Sequence, residues 1–389
     1  MNVRWLEVDA SGVIEHSSQT RARVPFVDFG HVTDSLRADI LDAITEVIET
    51  GTFVNGPVVD GFEAEFAAYC GTEFCVGTAS GLDALRLVLL AAGMEPGAQV
   101  LVPAQTFIAT WEAVTQAGGT PIPVDISESD YGLDVEAAEA AVGPGTRFVV
   151  PVDLYGQLAD MAAVHELARR HSLVVVEDAC QAHGARRQRH QPGSAATAAV
   201  FSFYPAKNLG AFGDAGAVVT DDEGLAERVR ALREHGQRRK HEHEEPGYTA
   251  RLDAIQAAVL SRKLPFLDAW NKSRRDAAGF YRDALNGIGD LRLPPTPAGS
   301  EPSWHLFVVC TADPAKLAQH LEARGIASGR HYPNPPHLTP AYASLGFRRG
   351  SFPIAEALAD EGLSLPVFPG MTEAQLTSVV DGIREFFDG

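Results

Sequence analysis

Apolar positions along the chain follow two alternating periods, one typical of helices and one of buried strands. Between residues 36 and 71 they recur every three or four positions, which predicts two helices separated by a turn with glycines and a proline. From residue 74 onward, short apolar runs alternate with helical patterns. The predicted strands are 74–76, 100–102, 121–124, 148–152, 173–176 and 198–201. This alternation indicates an α/β fold whose mainly parallel sheet lies between helices.

The pattern changes near residue 265, where we predict a domain boundary. Residues 1–23 lack clear periodicity and are expected to form an N-terminal extension. Residues 24–264 contain the alternating strands and helices of a large domain. Residues 265–389 contain predicted helices at 266–286, 314–324 and 372–387 and a strand at 306–309, which indicates a smaller α+β domain.

Charge and cysteine content narrow the class of protein. The chain has 32 Lys and Arg against 51 Asp and Glu, a net charge of −19, which argues against nucleic acid or an anionic membrane as its main partner. The four cysteines form no disulfide framework. Neither a membrane-spanning run nor a signal-peptide pattern is recognisable. We therefore expect a cytoplasmic protein.

Lys207 is the most unusual residue of the predicted sheet. It lies five positions after Ser202, at the end of the strand at 198–201. A buried ammonium group is costly unless it is paired or chemically modified, and a Schiff base with an aldehyde is one such modification. The alternative is a serine nucleophile activated by the lysine, but the Ser-x-x-Lys spacing of that chemistry is absent.

Three other segments follow strand ends, and each has a structural alternative. The turn at 77–82 opens a helix whose backbone N–H groups could bind a phosphate, or it is a plain tight turn. Asp178 follows the strand at 173–176 and is either a functional carboxylate or a helix N-cap. Phe107 could stack on a planar ligand or belong to the core. The carboxyl ends of parallel strands are where ligands bind in such folds.

The order of these segments resembles the pyridoxal 5'-phosphate (PLP)-dependent aminotransferases of the aspartate aminotransferase fold. In particular it is similar to the sugar aminotransferase (DegT/DnrJ/EryC1/StrS) family, from about Val24 to the C-terminus. The segments that carry the resemblance are 79–85 (ASGLDAL), 176–184 (VEDACQAHG), 201–210 (FSFYPAKNLG), 251–258 (RLDAIQAA), 325–326 (GI) and 331–333 (HYP).

The resemblance implies a role for each of these residues. Lys207 would hold the cofactor as a Schiff base and, once released by the amino donor, would transfer the proton. Asp178 would pair with the protonated pyridine nitrogen. The remaining implied ligands are Phe107 on the ring face, Gln181 at the phenolic oxygen, Ser80, Gly81, Leu82 and Ser202 at the phosphate, and His331 and Tyr332 in the sugar pocket. For the last two, loop packing is the alternative.

Thr249 departs from the family pattern. The family usually has an asparagine at this position, which reaches the phosphate of the cofactor in the partner subunit. A hydroxyl is shorter and has one donor instead of two. The resemblance still implies a homodimer with active sites at the subunit interface.

The resemblance also implies a reaction. The expected activity is amination of a nucleotide-linked keto sugar, most similar to enzymes that act at C3 of dTDP-3-keto-6-deoxyhexoses in deoxyaminosugar and antibiotic biosynthesis. L-Glutamate would be the amino donor and pyridoxamine 5'-phosphate the intermediate form of the cofactor. Amination at C4, amination of an inosose, and a non-catalytic PLP-binding regulator are alternatives. A dehydratase of the same fold is disfavoured, because its members carry histidine where Lys207 stands.

The histidines at 235, 241 and 243 raise the question of a metal site. They lack the two-histidine, one-turn spacing of a helical zinc site. The segment at 236–247 is highly charged and ends in proline and glycine, so we predict an exposed loop and no metal.

Overall fold

A computed structural model describes residues 23–194 and 196–389. The predicted N-terminal extension lies outside these residues except for Arg23. The α-helices are α1 (Phe29–Thr33), α2 (Arg37–Thr50), α3 (Pro57–Cys70), α4 (Gly81–Ala91), α5 (Ala109–Gln116), α6 (Val135–Ala141), α7 (Met161–His171), α8 (Glu223–Arg233), α9 (Ala254–Lys263), α10 (Leu267–Leu285), α11 (Pro314–Ala323), α12 (Pro353–Glu361) and α13 (Glu373–Asp388). Short 3-10 helices are Asp34–Leu36, Leu154–Gly156, Leu264–Phe266, Pro336–Leu338 and Pro340–Leu345.

Seven strands form one central sheet in the order β1-β8-β7-β5-β4-β2-β3. The strands of the chain are β1 (Phe74–Thr78), β2 (Gln99–Pro103), β3 (Thr120–Val124), β4 (Thr146–Val149), β5 (Val174–Asp178), β6 (Arg186–Arg187), β7 (Ala198–Ser202), β8 (Gly216–Thr220), β9 (Gln237–Arg239), β10 (Glu242–His243), β11 (Ser300–Glu301), β12 (Phe307–Cys310) and β13 (Gly362–Leu365). In this sheet β8 runs antiparallel to both neighbours, and the other pairs are parallel. The predicted mainly parallel α/β sheet is confirmed.

Helices cover the sheet on both faces, which explains why its strands are apolar throughout. On β7, Ala199 and Phe201 pack with residues of α3 and α9 on one face. Ala198 and Val200 pack with residues of α4 and α8 on the other. Full burial of a side chain such as Phe201 contributes about 1.5–3 kcal/mol relative to exposure. Because both faces are buried, no polar alternation marks these strands.

The C-terminal part has its own apolar cluster. Strands β12 and β13 pair antiparallel, and Phe307 on β12 packs with Tyr281 of α10 and Ile383 of α13. The predicted α+β character of this part is confirmed by these elements. Helix α9 ends at Lys263 and α10 begins at Leu267. The domain boundary at 264/265 stays a prediction.

One local expectation needs correction, and one strand was not predicted. The segment predicted as a loop at 236–247 contains a small hairpin of β9 and β10, although its residues are mostly exposed, as predicted. Pairing of short charged strands has no hydrophobic period, so no pattern indicated it. Strand β8 was also not predicted, because it follows a glycine-rich segment. None of the described helices combines the length and the apolar character that crossing a membrane requires.

Candidate active site

The carboxyl ends of β1, β2, β5 and β7 meet at a cavity of about 480 Å³. All sequence-predicted site residues except Thr249 line this cavity. They are Ser80, Gly81, Leu82, Phe107, Asp178, Gln181, Ser202, Lys207, His331 and Tyr332. The segments that follow the strand ends thus converge on one place, as expected for a parallel sheet.

The N-terminus of α4 forms one end of the cavity. The Ser80 hydroxyl accepts a hydrogen bond of 3.0 Å from the Asp83 N–H, so Ser80 caps the helix. The N–H groups of Gly81 and Leu82 have no partner in the earlier part of the helix and make an anion site together with the helix dipole. A Cβ on Gly81 would lie 2.7 Å from Cys180 Sγ and 2.8 Å from Ser202 Cβ. A side chain at position 81 would collide with these two neighbours, so the packing requires glycine there. The role of this turn as a phosphate site stays a prediction.

Asp178 lies at the end of β5, with its carboxylate held by two donors. Oδ2 accepts from the Thr110 hydroxyl at 2.8 Å, and Oδ1 accepts from the Cys180 N–H at 3.2 Å. The N-cap alternative is wrong, since the next described element after β5 is the short strand β6 and not a helix. Asp178 therefore offers a fixed carboxylate to the cavity.

Lys207 lies in the turn after β7, next to Asp178. Its N–H donates to the Tyr204 carbonyl at 2.8 Å, and burial lowers the pKa of its amine, an effect that the neighbouring Cys180 and Asp178 oppose. A lowered pKa makes the neutral, nucleophilic amine more accessible. Ser202 Oγ accepts from the Tyr204 N–H at 3.3 Å. In the described residues no hydrogen bond joins Ser202 to Lys207, which leaves the serine-nucleophile alternative without support.

Aromatic and amide side chains form the opposite wall. Phe107 is 49% exposed and its ring lies 5.2 Å from that of Tyr332, so the core alternative for Phe107 is wrong. Gln181 accepts from the Tyr155 N–H at 2.8 Å and donates to the Tyr332 hydroxyl at 3.2 Å. The ring of His331 stacks on Phe26, and burial lowers the pKa of His331 to about 4. His331 is therefore neutral at pH 7.

Three further residues at the cavity were not predicted. Thr110 holds Asp178, Arg274 donates to the Val367 carbonyl at 2.6 Å, and His305 lines the cavity beside Lys207. Their contacts join segments that lie far apart in the chain. No local spacing could have indicated them.

Thr249 lies outside the cavity. Its hydroxyl is 3.0 Å from His235 Nε2, and both residues are exposed or nearly so. The predicted contact of Thr249 involves a partner subunit, and it stays a prediction.

The chain is similar to known proteins over most of its length. Residues 34–384 match the DegT/DnrJ/EryC1/StrS aminotransferase family. A relative from Streptomyces venezuelae, dTDP-3-amino-3,4,6-trideoxy-alpha-D-glucose transaminase, is 49% identical over 94% of this chain and 96% of its own. The erythromycin biosynthesis sensory transduction protein EryC1 from Saccharopolyspora erythraea is 47% identical over 93% of this chain and 99% of its own.

A solved structure agrees with the whole fold. The crystal structure of S. venezuelae DesV in complex with a ketimine intermediate superposes with a TM-score of 0.93 at 48% identity, covering 94% of this chain and 99% of that one. Fold and site together define an aminotransferase of the PLP-dependent type. More specifically, the chain belongs to the DegT/DnrJ/EryC1/StrS aminotransferase family.

The residues of the cavity fit the cofactor of this family, which is PLP. Phosphate requires N–H donors with no side chain in the way, and the backbone at Gly81 provides them. A pyridine nitrogen requires a carboxylate, and Asp178 is held in place by Thr110. An aldehyde requires an amine of lowered pKa, which is Lys207.

Proposed function

We propose that this protein is a PLP-dependent aminotransferase that converts the 3-keto group of a dTDP-linked 6-deoxyhexose to an amine, in deoxyaminosugar biosynthesis. The observation that carries the proposal is the placement of Lys207, Asp178 and the α4 N-terminus around one cavity. The S. venezuelae relative, a dTDP-3-amino-3,4,6-trideoxy-alpha-D-glucose transaminase, supports C3 as the position. The match covers 94% of this chain and 96% of the relative, which supports the same overall activity for this chain.

The residues of the cavity have separate parts in the proposed reaction. PLP, when bound, supplies an electron sink for the charge that develops on the substrate carbon. The N–H groups of Gly81 and Leu82 hold its phosphate, with Ser202 beside them, and Asp178 keeps its pyridine nitrogen protonated. Lys207 Nζ would hold the cofactor, and its free amine would move the proton at the substrate carbon.

The amino donor and the assembly belong to the same proposal. L-Glutamate is the proposed donor, as is common for aminotransferases of this family. A homodimer is proposed, and its support is a set of large apolar side chains on the surface of the described chain: Leu41, Ile48, Phe53, Phe212 and Phe266. They would support an interface where they lie together, since contiguous exposed apolar surface is typical of protein interfaces. Thr249 would then reach the cofactor phosphate of the partner.

The product of the reaction tests the proposal. Pure protein with PLP, L-glutamate and a dTDP-3-keto-6-deoxyhexose should give a sugar whose amine NMR locates at C3. The same mixture with the 4-keto isomer is the matched control. Amination of the 4-keto isomer alone would overturn the C3 assignment, and amination of an inosose alone would overturn the nucleotide-sugar assignment.

A PLP-binding regulator is the second candidate, because the S. erythraea relative carries a sensory transduction name. Lys207 and the phosphate site would be kept in such a protein. L-Glutamate alone separates the two functions: an aminotransferase converts the visible absorbance of bound PLP to that of pyridoxamine 5'-phosphate. An unchanged spectrum would favour the regulator.

A further inference from the structure

A chain of buried amides behind Lys207 fixes the direction of each of its hydrogen bonds. Asn271 of α10 donates from Nδ2 to the His183 carbonyl at 2.8 Å. A carbonyl only accepts, so the Oδ1 atom of Asn271 must face Asn208. Asn208 donates from Nδ2 to this Oδ1 and to the Ser303 carbonyl, both at 2.8 Å. Both amide hydrogens of Asn208 are thereby used.

This chain determines the tautomer of His305. The only group that Asn208 has left is its Oδ1 atom, which lies 3.3 Å from His305 Nδ1. Because Oδ1 only accepts, Nδ1 must carry the proton. Burial, together with the positive charges of Lys207 and Arg274, holds the pKa of His305 well below its usual range. The imidazole is therefore neutral, and its Nε2 atom carries a lone pair.

The position of His305 makes this lone pair available to a ligand. His305 lines the same cavity as Lys207, His331 and Tyr332. In the part of the chain that the structure describes, Nε2 has no hydrogen-bond partner, and Lys207 Nζ does not donate to it. The ring cannot turn to offer an N–H instead, since Nδ1 is held by Asn208. His305 thus presents the cavity with a fixed acceptor.

We propose that His305 is a specificity-determining residue whose Nε2 accepts a hydrogen bond from a hydroxyl of the keto sugar. The proposal rests on the proposed function, since two substrates must use one cavity in turn. A sugar hydroxyl can donate to Nε2, whereas the carboxylates of glutamate are acceptors only and gain nothing from it. The ammonium group is the one donor of glutamate, and it must reach the reacting centre at Lys207, so His305 favours the sugar hydroxyl over the rest of the amino donor.

Two substitutions at this position test the proposal against a purely structural role. In His305→Asn the amide can still donate to Asn208 Oδ1, but nothing reaches the cavity. In His305→Gln the longer side chain brings an oxygen to the place of Nε2 and gives up the bond to Asn208. The variant His171→Asn, at the exposed end of α7, is the control and should behave as wild type.

The expected result separates the two half-reactions. His305→Asn should raise KM for the keto sugar on the order of tenfold, as for the loss of one hydrogen bond, while the glutamate-driven change in absorbance keeps its rate. His305→Gln should recover most of the sugar KM. An unchanged sugar KM in His305→Asn would overturn the proposal, as would an equal slowing of the glutamate step in both variants.

The wild-type protein provides a measurement that does not depend on the folding of a variant. ¹⁵N NMR of labelled histidines should show a protonated Nδ1 and an unprotonated Nε2 for His305, and the opposite tautomer would contradict the proposal. A wrong proposed function would give a different result from a wrong role of His305. In that case the wild-type protein would react with glutamate but would aminate no keto sugar, independently of the results for the variants.

Discussion

Lys207 lies within the loop 205–212 and Lys263 packs against it, and the surroundings of the two amines differ. Lys263, at the end of α9, is 4% exposed; it donates to the Gly210 carbonyl at 2.7 Å and lies 4.4 Å from the ring centre of Phe212. Lys207 lies in the cavity with Asp178 and the α4 N-terminus. Burial lowers the pKa of both amines, that of Lys263 to about 8.

The comparison shows that burial and a lowered pKa do not by themselves identify a reactive lysine. Lys263 uses its amine to satisfy a backbone carbonyl and to cover an aromatic ring, which are structural tasks. Lys207 has no such partner among the described residues. It has instead a carboxylate, an anion site and room for a ligand. The groups around the amine, and not its burial or its pKa, identify Lys207 as the reactive lysine.

Replacement of Lys207 should have the largest effect. Lys207→Ala removes the amine that binds the cofactor and moves the proton, so we expect turnover to fall by about 10⁴-fold or more. The fall in turnover is measured as the rate of sugar amination under saturating PLP and glutamate. Cofactor binding should persist in part through the backbone at Gly81. Turnover near the wild-type level would refute the assignment of Lys207.

Asp178→Asn should have the next largest effect. The amide keeps the size of the side chain and can still accept from the Thr110 hydroxyl, but it loses the negative charge next to the pyridine nitrogen. We expect kcat to fall on the order of 10²- to 10³-fold with the fold intact. Circular dichroism checks that the fold is intact, and steady-state kinetics measures the fall in kcat. A kcat within twofold of wild type would show that the carboxylate does not act on the cofactor.

Lys263→Met should separate structure from reaction. Methionine fills much of the same volume but leaves the Gly210 carbonyl without its partner, which should lower the free energy of unfolding by about 1–3 kcal/mol. Turnover of the folded variant should stay within a few-fold of wild type. Urea unfolding and amination assays on the same preparation test both parts. A loss of turnover as large as that of Lys207→Ala would contradict the purely structural role of Lys263.

The lowered pKa of Lys263 also predicts a pH effect on stability. The unfolded chain holds this proton up to the ordinary lysine pKa of 10.5, whereas the folded protein holds it only up to about 8. Between these values the unfolded state binds more protons, so this group makes stability rise with pH. The wild-type free energy of unfolding minus that of Lys263→Met should therefore increase from pH 8 to pH 10. A flat or falling difference would contradict the lowered pKa.

Much of the fold and of the cofactor half of the site could be predicted from the sequence. Buried parallel strands are continuous apolar runs, and the residues that follow them, such as Asp178 and Lys207, are brought together by the sheet itself. His305 could not be found in this way, because its tautomer depends on Asn208 and Asn271, which meet only in the folded chain. Nor did any local pattern indicate that Lys263 is buried. Its helix end is ordinary in sequence, and its environment is formed by the loop 205–212.

The most direct test of the central claim is to locate the covalent attachment of the cofactor. Purified protein with bound PLP is reduced with borohydride, which converts a Schiff base to a stable amine, and is then digested and analysed by mass spectrometry. We expect the cofactor on the peptide that contains Lys207, with Lys263 unmodified. A cofactor on Lys263, or none on Lys207, would contradict the assignment of Lys207 as the attachment site.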